Sequence, residues 1–195
     1  MKDKNIRVIM MVAVVALICI MGIGFAALST TLSINGAGTV KASSWNVEFD
    51  NLSAVSKTGT AVEVTAPTIS DNNTHIGDYD VTFTTPGDSI SYSFDVKNTG
   101  TFNAEISSIV VSTPSCTGSG DTATVDATNV CNNLTYKLTY TDSGALVSQG
   151  DTLDSNSTKN MTLSLSYNSA ATANLLPTND VAISNLEVTI IYSQR

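Results

Sequence analysis

The sequence predicts an all-β fold, an antiparallel two-sheet β-sandwich of jelly-roll type, preceded by an N-terminal hydrophobic helix. Apolar and polar residues alternate along most of the chain after residue 28, as they do in half-buried strands. Turn signals separate these stretches, and the four prolines, at 67, 86, 114 and 177, all fall between them. Nine or ten strands of this kind, without an amphipathic helix, are typical of a sandwich or jelly roll.

The N-terminal region has the layout of an export signal. Residues 1–7 are charged and net positive. Residues 8–28 carry no charge, and this segment is long enough to span a bilayer as a helix. Small residues at the end of this run predict cleavage between Ala26 and Ala27. An uncleaved membrane anchor is the alternative. Both interpretations place residues 29–195, predicted to form a single domain, outside the membrane, either secreted or at the cell surface.

The stretch from Pro86 to Gly100, PGDSISYSFDVKNTG, predicts a central strand of the sandwich. Pro86-Gly87-Asp88 is a turn signal, because proline fixes φ and glycine adopts conformations that other residues resist. Asn98-Thr99-Gly100 is a second turn signal at the far end. Between the two turns, one face of the strand is apolar, with Ile90, Tyr92, Phe94 and Val96.

Two polar regions are predicted to lie outside the strands. Residues 67–78 are expected to form a polar loop, and residues 114–133 a flexible insertion that holds Cys116 and Cys131. These two cysteines are the only ones after residue 28, so we expect them to form a disulfide in an oxidising compartment. Free thiols or a metal pair are the weaker alternative, since a structural zinc site needs four ligands and His75 is the only histidine.

Charge and motifs exclude several classes of function. After residue 26 the chain has six basic and sixteen acidic residues. A nucleic-acid partner is therefore not expected, because phosphate binding needs clustered lysine and arginine. No catalytic motif, cofactor motif or metal-binding motif is recognisable, and the chain is predicted not to be an enzyme. Oxygen ligands for calcium are offered by Asp71, Asn73, Asp78 and Asp80, but their spacing fits no EF-hand.

Two segments resemble exported proteins of Gram-positive bacteria. Gly22 to Ser29, GIGFAALS, resembles the end of signal peptides that the SipW class of signal peptidase processes. Pro86 to Gly100 resembles the PGD…F-x-x-x-N-x-G segment of the TasA/camelysin family, and the resemblance extends over residues 1–50 and 86–112. It implies a jelly-roll-like surface or matrix protein, and TasA assembles into biofilm fibres. The metalloprotease activity associated with camelysin is not carried over, because the chain has no zinc motif.

Three hypotheses of function follow: a fibre-forming matrix subunit, a monomeric membrane-anchored adhesion or binding domain, and an enzyme of camelysin type, which is the least favoured. For the first, cleavage would leave an alternating strand at the new N-terminus. We expect Leu28, Leu32 and Ile34 to enter a groove in a neighbouring subunit by strand addition. The alternative is pairing within the same subunit through the Asn35-Gly36 hairpin signal. Partners would be copies of the chain or other surface proteins, with the membrane bound through residues 8–28 before cleavage.

Overall fold

The computed structural model describes residues 4–8, 10–13, 15, 39–77, 79–170 and 176–195. The chain divides into two compact units, Met1–Lys41 and Ala42–Arg195. In the first unit, the described residues from 4 to 15 are helical. No helix among the described residues is long and apolar enough to cross a membrane. The rest of the expected apolar helix, the cleavage site and the expected donor strand lie outside the described residues.

The second unit is mostly β, and all pairings between its described strands are antiparallel, as predicted. A helix, α1 (Ala123–Asn132), lies between the ninth and tenth strands. The strands are β1 (Val47–Asp50), β2 (Ser56–Thr58), β3 (Val62–Thr65), β4 (Thr68–Ser70), β5 (His75–Gly77), β6 (Asp80–Thr82), β7 (Ser89–Asn98), β8 (Ala104–Val111), β9 (Ser115–Thr117), β10 (Leu134–Tyr140), β11 (Thr152–Leu153), β12 (Ser157–Tyr167), β13 (Ala182–Ser184) and β14 (Val188–Gln194).

Two sheets contain the long strands. The larger has the order β1-β7-β12-β10, with β2 pairing with β7 as well, and the smaller has the order β11-β8-β14. Three two-stranded sheets complete the described part: β3 with β6, β4 with β5, and β9 with β13. Strand β7 is central, as its sequence predicts, because it pairs with β12 on one side and with β1 and β2 on the other.

Buried side chains from both large sheets form one core cluster. Phe94 and Val96 of β7 and Met161 of β12 pack in this cluster with Ala104 and Ile106 of β8. Each large side chain that is removed fully from water contributes about 2 kcal/mol, so this shared cluster stabilises the packing of the two sheets. The alternation along β7 produces it, since every second residue of that strand is buried.

The carboxylate of Asp88 closes the turn before β7. Asp88 is 0% exposed, and it accepts hydrogen bonds from the backbone N–H groups of Thr60 (2.7 Å), Thr84 (2.7 Å) and Thr85 (2.9 Å). Burial alone would raise the pKa of Asp88, but these donors outweigh it and lower the pKa to about 2. Gly59, with φ of 71°, passes so close that a Cβ there would collide with this carboxylate.

Asn98 closes the other end of β7 in the same way. It is also 0% exposed, and its amide donates to the carbonyls of Phe102 (2.9 Å) and Leu153 (3.2 Å). Its side-chain oxygen accepts the N–H of Gly100 (3.0 Å). A Cβ at Gly100 would lie 2.8 Å from the carbonyl oxygen of Ser44, so only glycine fits this turn. A buried polar side chain therefore fixes the turn at each end of the predicted motif through its hydrogen bonds, and we call Asp88 and Asn98 the two clamps of β7.

Two regions differ from their predictions. Residues 67–78, expected as a polar loop, contain the hairpin of β4 and β5. Residues 114–133, expected as a flexible insertion without a helix, contain β9 and α1. Helix α1 was missed because threonine, aspartate and asparagine have weak helix propensity, and contacts elsewhere in the fold override propensity. One such contact is Asp126, which is 3% exposed and accepts bonds from Thr122 and Thr178.

Candidate functional site

An open groove of about 620 Å³, lined by both apolar and polar residues, lies within the second unit. Its volume is within the range of about 300–1,000 Å³ that is usual for ligand pockets. Side chains of the larger sheet form its floor: Phe49, Tyr92, Phe94, Tyr136, Leu138 and Leu163. Phe49 and Phe94 meet edge to face, with ring centroids 5.4 Å apart, which fixes this end of the floor.

One side of the groove is formed by consecutive residues, from 183 to 190. Side chains of a strand alternate between its two faces, so a groove that contacted only one face would be lined by every second residue. Residues 183–184 lie in β13, residues 185–187 in the connection and residues 188–190 in β14, so the unbroken lining shows that the groove follows this whole stretch of main chain. We call residues 183–187, which lead into β14, the groove wall.

The main chain of β14 directs hydrogen-bonding groups towards this open edge. The N–H of Ser112 donates to the carbonyl of Glu187 (2.9 Å), which marks Glu187 as facing β8. Alternation in an antiparallel pair then turns Thr189 towards β8, and Val188 and Ile190 away from it. In the part of the chain that the structure describes, β14 pairs with no strand other than β8. Among the described residues, the main-chain groups of Val188 and Ile190 that face away from β8 therefore have no strand partner.

The hairpin of β4 and β5 forms another part of the groove lining. His75, Ile76 and Gly77 of β5 line the groove, and Ile76 packs against the main core cluster. Among the described strands, β5 pairs only with β4. A hydrogen bond from the N–H of Phe49 to the carbonyl of Asn73 (2.6 Å) ties the hairpin to β1. Within the described part of the chain, the groove is thus lined by a second strand that is paired on one side only.

Tyrosines give the groove a neutral polar region. The hydroxyl of Tyr79 donates to that of Tyr136 (3.1 Å), and the rings of Tyr79 and Tyr92 lie 5.5 Å apart. Burial is the main cause that raises the pKa of each of these three tyrosines, and the hydrogen bond to Tyr136 raises that of Tyr79 further. They therefore stay protonated at neutral pH. Such a groove suits an uncharged, extended apolar segment better than it suits an ion.

The predicted disulfide is present and lies next to the groove wall. Cys116 of β9 is joined to Cys131 of α1. Strand β9 pairs with β13, and Cys116 lies directly opposite Ile183, the first residue of the groove lining on this side. The disulfide is therefore connected to the groove through one pair of short strands.

The other expected site residues fall in several places. Ala26, Ala27, Leu28, Leu32 and Ile34 lie outside the described residues. Asp71 and Asn73 lie in the turn between β4 and β5, and Asp78 is outside the described residues. Among the residues that the structure describes, no group of three or more histidines, cysteines or acidic residues is placed to hold a metal.

Two features of the groove were not predicted from the sequence. His75, expected as an exposed loop residue, is exposed but belongs to β5 and lines the groove. The tyrosine cluster was also missed, although Tyr79, Tyr92 and Tyr136 each lie in a stretch of alternating apolar and polar residues. The alternation of a strand predicts which face a side chain lies on, but it does not predict which strands are neighbours. The contact among the three tyrosines could therefore not be predicted.

In the comparisons with known proteins, no family model, no curated protein and no solved structure matches the chain. The resemblance to the TasA/camelysin family therefore stays a prediction. The groove itself, with its apolar floor and open strand edge, is the basis for a proposal of function.

Proposed function

We propose that this chain is an exported, non-enzymatic structural protein of the bacterial cell surface or extracellular matrix. Its subunits would assemble into fibres by strand addition, in the manner of a TasA-like biofilm subunit. The observation that carries the proposal is the edge of β14 beside the groove, which has no strand partner among the described residues. An exposed edge of this kind is a template for another strand, and natural proteins usually cover such edges.

The proposed occupant is the segment from Ala27 to Ile34 of a neighbouring subunit. Its sequence, ALSTTLSI, is uncharged and alternating, which suits a groove with an apolar floor and main-chain donors along one side. Leu28, Leu32 and Ile34 would face the floor. Each subunit would give one segment and accept one, and such head-to-tail contacts generate open filaments. The membrane segment would hold the donor at the membrane until cleavage after Ala26.

The fold proposed for this role is a two-sheet, jelly-roll-like sandwich. Support comes from the core cluster, in which Phe94 and Met161 of the larger sheet pack with Ile106 of the smaller sheet. Strand addition at β14 would widen the smaller sheet from three strands to four. A fuller second layer would cover more of the apolar floor around Leu163, which gives the addition a hydrophobic driving force.

A truncation tests this proposal. Protein that starts at Ala27 is compared with protein that starts at Gly36, and both are first checked for cooperative thermal unfolding by circular dichroism. We expect filaments in electron micrographs of the longer protein only. If the longer protein stays monomeric at high concentration, or if the shorter one polymerises equally well, strand donation is wrong. The monomeric, membrane-anchored adhesion or binding domain would then be the better hypothesis.

A further inference from the structure

We propose that the Cys116–Cys131 disulfide holds the groove wall, residues 183–187, in the position that accepts a strand. The groove would then become competent only after the two thiols have been oxidised. This inference rests on the proposed function, because it concerns the occupancy of the same groove.

The groove wall is held in place by contacts with residues 112–117. Three contacts join the two segments: Ile183 pairs with Cys116, the amide of Asn185 donates to the carbonyl of Thr113 (2.8 Å), and the carbonyl of Glu187 accepts the N–H of Ser112 (2.9 Å). Asn185 has φ of 61°, a left-handed conformation that marks the bend between β13 and β14. A shift of the 112–117 segment would therefore move the wall.

Helix α1 is the support of that segment, and the disulfide is their covalent link. Within α1 only Asp126 and Val130 are buried, and Val125 is 60% exposed, so apolar packing of the helix is slight. The helix is instead held by polar contacts. Asp126 accepts bonds from the N–H (3.1 Å) and the hydroxyl (2.9 Å) of Thr178, shortly before β13. The disulfide joins α1 to β9, and β9 pairs with β13 at the start of the groove wall. Helix α1 is thus connected to the wall both through Thr178 and through the disulfide.

The chemistry requires one oxidising partner. The thiols of Cys116 and Cys131 each lose a proton and together give up two electrons to a disulfide oxidant, protein or small molecule, which becomes two thiols. Disulfides form outside the reducing cytoplasm. The groove wall would therefore be fixed only after export, so that strand addition could not begin before the chain leaves the cell.

The experiment measures binding and local protection in the same protein. The acceptor is the full chain with Leu32→Asp and Ile34→Asp, which keep its own segment out of the groove. The probe is a fluorescent peptide of residues 27–36, followed by anisotropy. Oxidised protein, protein reduced with dithiothreitol, and the Cys116→Ser/Cys131→Ser variant are compared. Hydrogen exchange is recorded on each, and the serine variant with and without dithiothreitol controls for other effects of the reductant.

We expect reduction, or the serine variant, to weaken peptide binding by about tenfold or more. Exchange should become faster in β9 and β13, while β7 stays protected. Equal binding by oxidised and reduced protein would overturn the inference. Loss of protection in β7 as well would also overturn it, because the disulfide would then stabilise the whole fold rather than the wall. If the oxidised protein does not bind the peptide, the proposed function itself fails, and this inference fails with it.

Discussion

Strands β7 and β14 belong to the same unit but differ in how completely they are paired. β7 has strand partners on both sides, and each of its ends is closed by a buried polar residue whose hydrogen bonds are made. In the described part of the chain, β14 pairs with β8 alone, and its other edge opens on the groove. We propose that this difference reflects a division of roles, in which β7 stabilises the unit and the second edge of β14 binds another strand.

The largest effect is expected at the start of β7. Asp88→Ala would remove the buried carboxylate that accepts from the N–H groups of Thr60, Thr84 and Thr85, and hydrogen bonds to a charged group contribute about 1.5–3 kcal/mol each. We expect the free energy of unfolding to fall by roughly 3 kcal/mol or more, measured by urea denaturation. The control is Asp142→Ala, an exposed turn residue, which should change stability by less than about 0.5 kcal/mol. Equal losses of stability at the two positions would show that the hydrogen bonds of Asp88 do not stabilise the fold.

A smaller loss is expected at the other end of the strand. Asn98→Ala removes the donor to the carbonyls of Phe102 and Leu153 and the acceptor for Gly100. Urea denaturation should show a loss of about 2 kcal/mol. The exposed Asn132 offers a matched asparagine, and Asn132→Ala should be nearly neutral. A neutral Asn98→Ala would mean that this turn does not need its side-chain bonds.

The clamp at Asp88 also predicts a dependence on pH. The pKa of Asp88 is lowered from 3.8 to about 2, so its carboxylate stabilises the fold above about pH 4, and this contribution is lost as pH falls towards 2. Between pH 5 and pH 2, the midpoint temperature of thermal unfolding should therefore fall more steeply for the wild type than for Asp88→Asn. The variant should keep some acid sensitivity, since the pKa of Asp126 is lowered too. Parallel pH profiles would show that Asp88 is not the titrating group.

The smallest change in stability, with a large change in binding, is expected at β14. Val188→Pro removes an N–H that faces the open edge, so it breaks no bond to β8, and proline is tolerated at sheet edges. The free energy of unfolding should fall by about 1 kcal/mol, because the side chain of Val188 packs against the main core cluster and both Val188→Pro and the Val188→Ala control shorten it. Binding of the peptide of residues 27–36 to oxidised protein should be lost. Val188→Ala keeps the N–H and should still bind, so equal binding by both variants would show that the edge is not used.

The sequence predicts the strands well where one face is buried. The alternation in Ser89–Lys97 and Leu134–Tyr140 predicts β7 and β10 because period-two burial is a local property of the chain. The turn signals before and after β7 were predicted as turns only. That Asp88 and Asn98 are buried clamps depends on Thr60 and Leu153, which are distant in sequence.

The groove could not be predicted in the same way. It depends on which strand lacks a neighbour, and pairing between β8 and β14 joins residues about 80 positions apart in the chain. Helix α1 was missed for a related reason, since the Cys116–Cys131 bridge and the bonds of Asp126 to Thr178 support it rather than its own propensity. The disulfide itself was predictable, because the chain after residue 28 has only two cysteines.

The central claim is that the segment of one subunit fills the groove of the next, and a mixing experiment tests it most directly. Protein starting at Ala27 is made in two forms: a donor-deficient form with Leu28→Asp, Leu32→Asp and Ile34→Asp, and an acceptor-deficient form with Val188→Pro. Sedimentation velocity should show each form alone as a monomer. The mixture should give one-to-one dimers that grow no further, because only one donor and one groove remain between them. Filaments from either form alone, or no association in the mixture, would contradict strand donation.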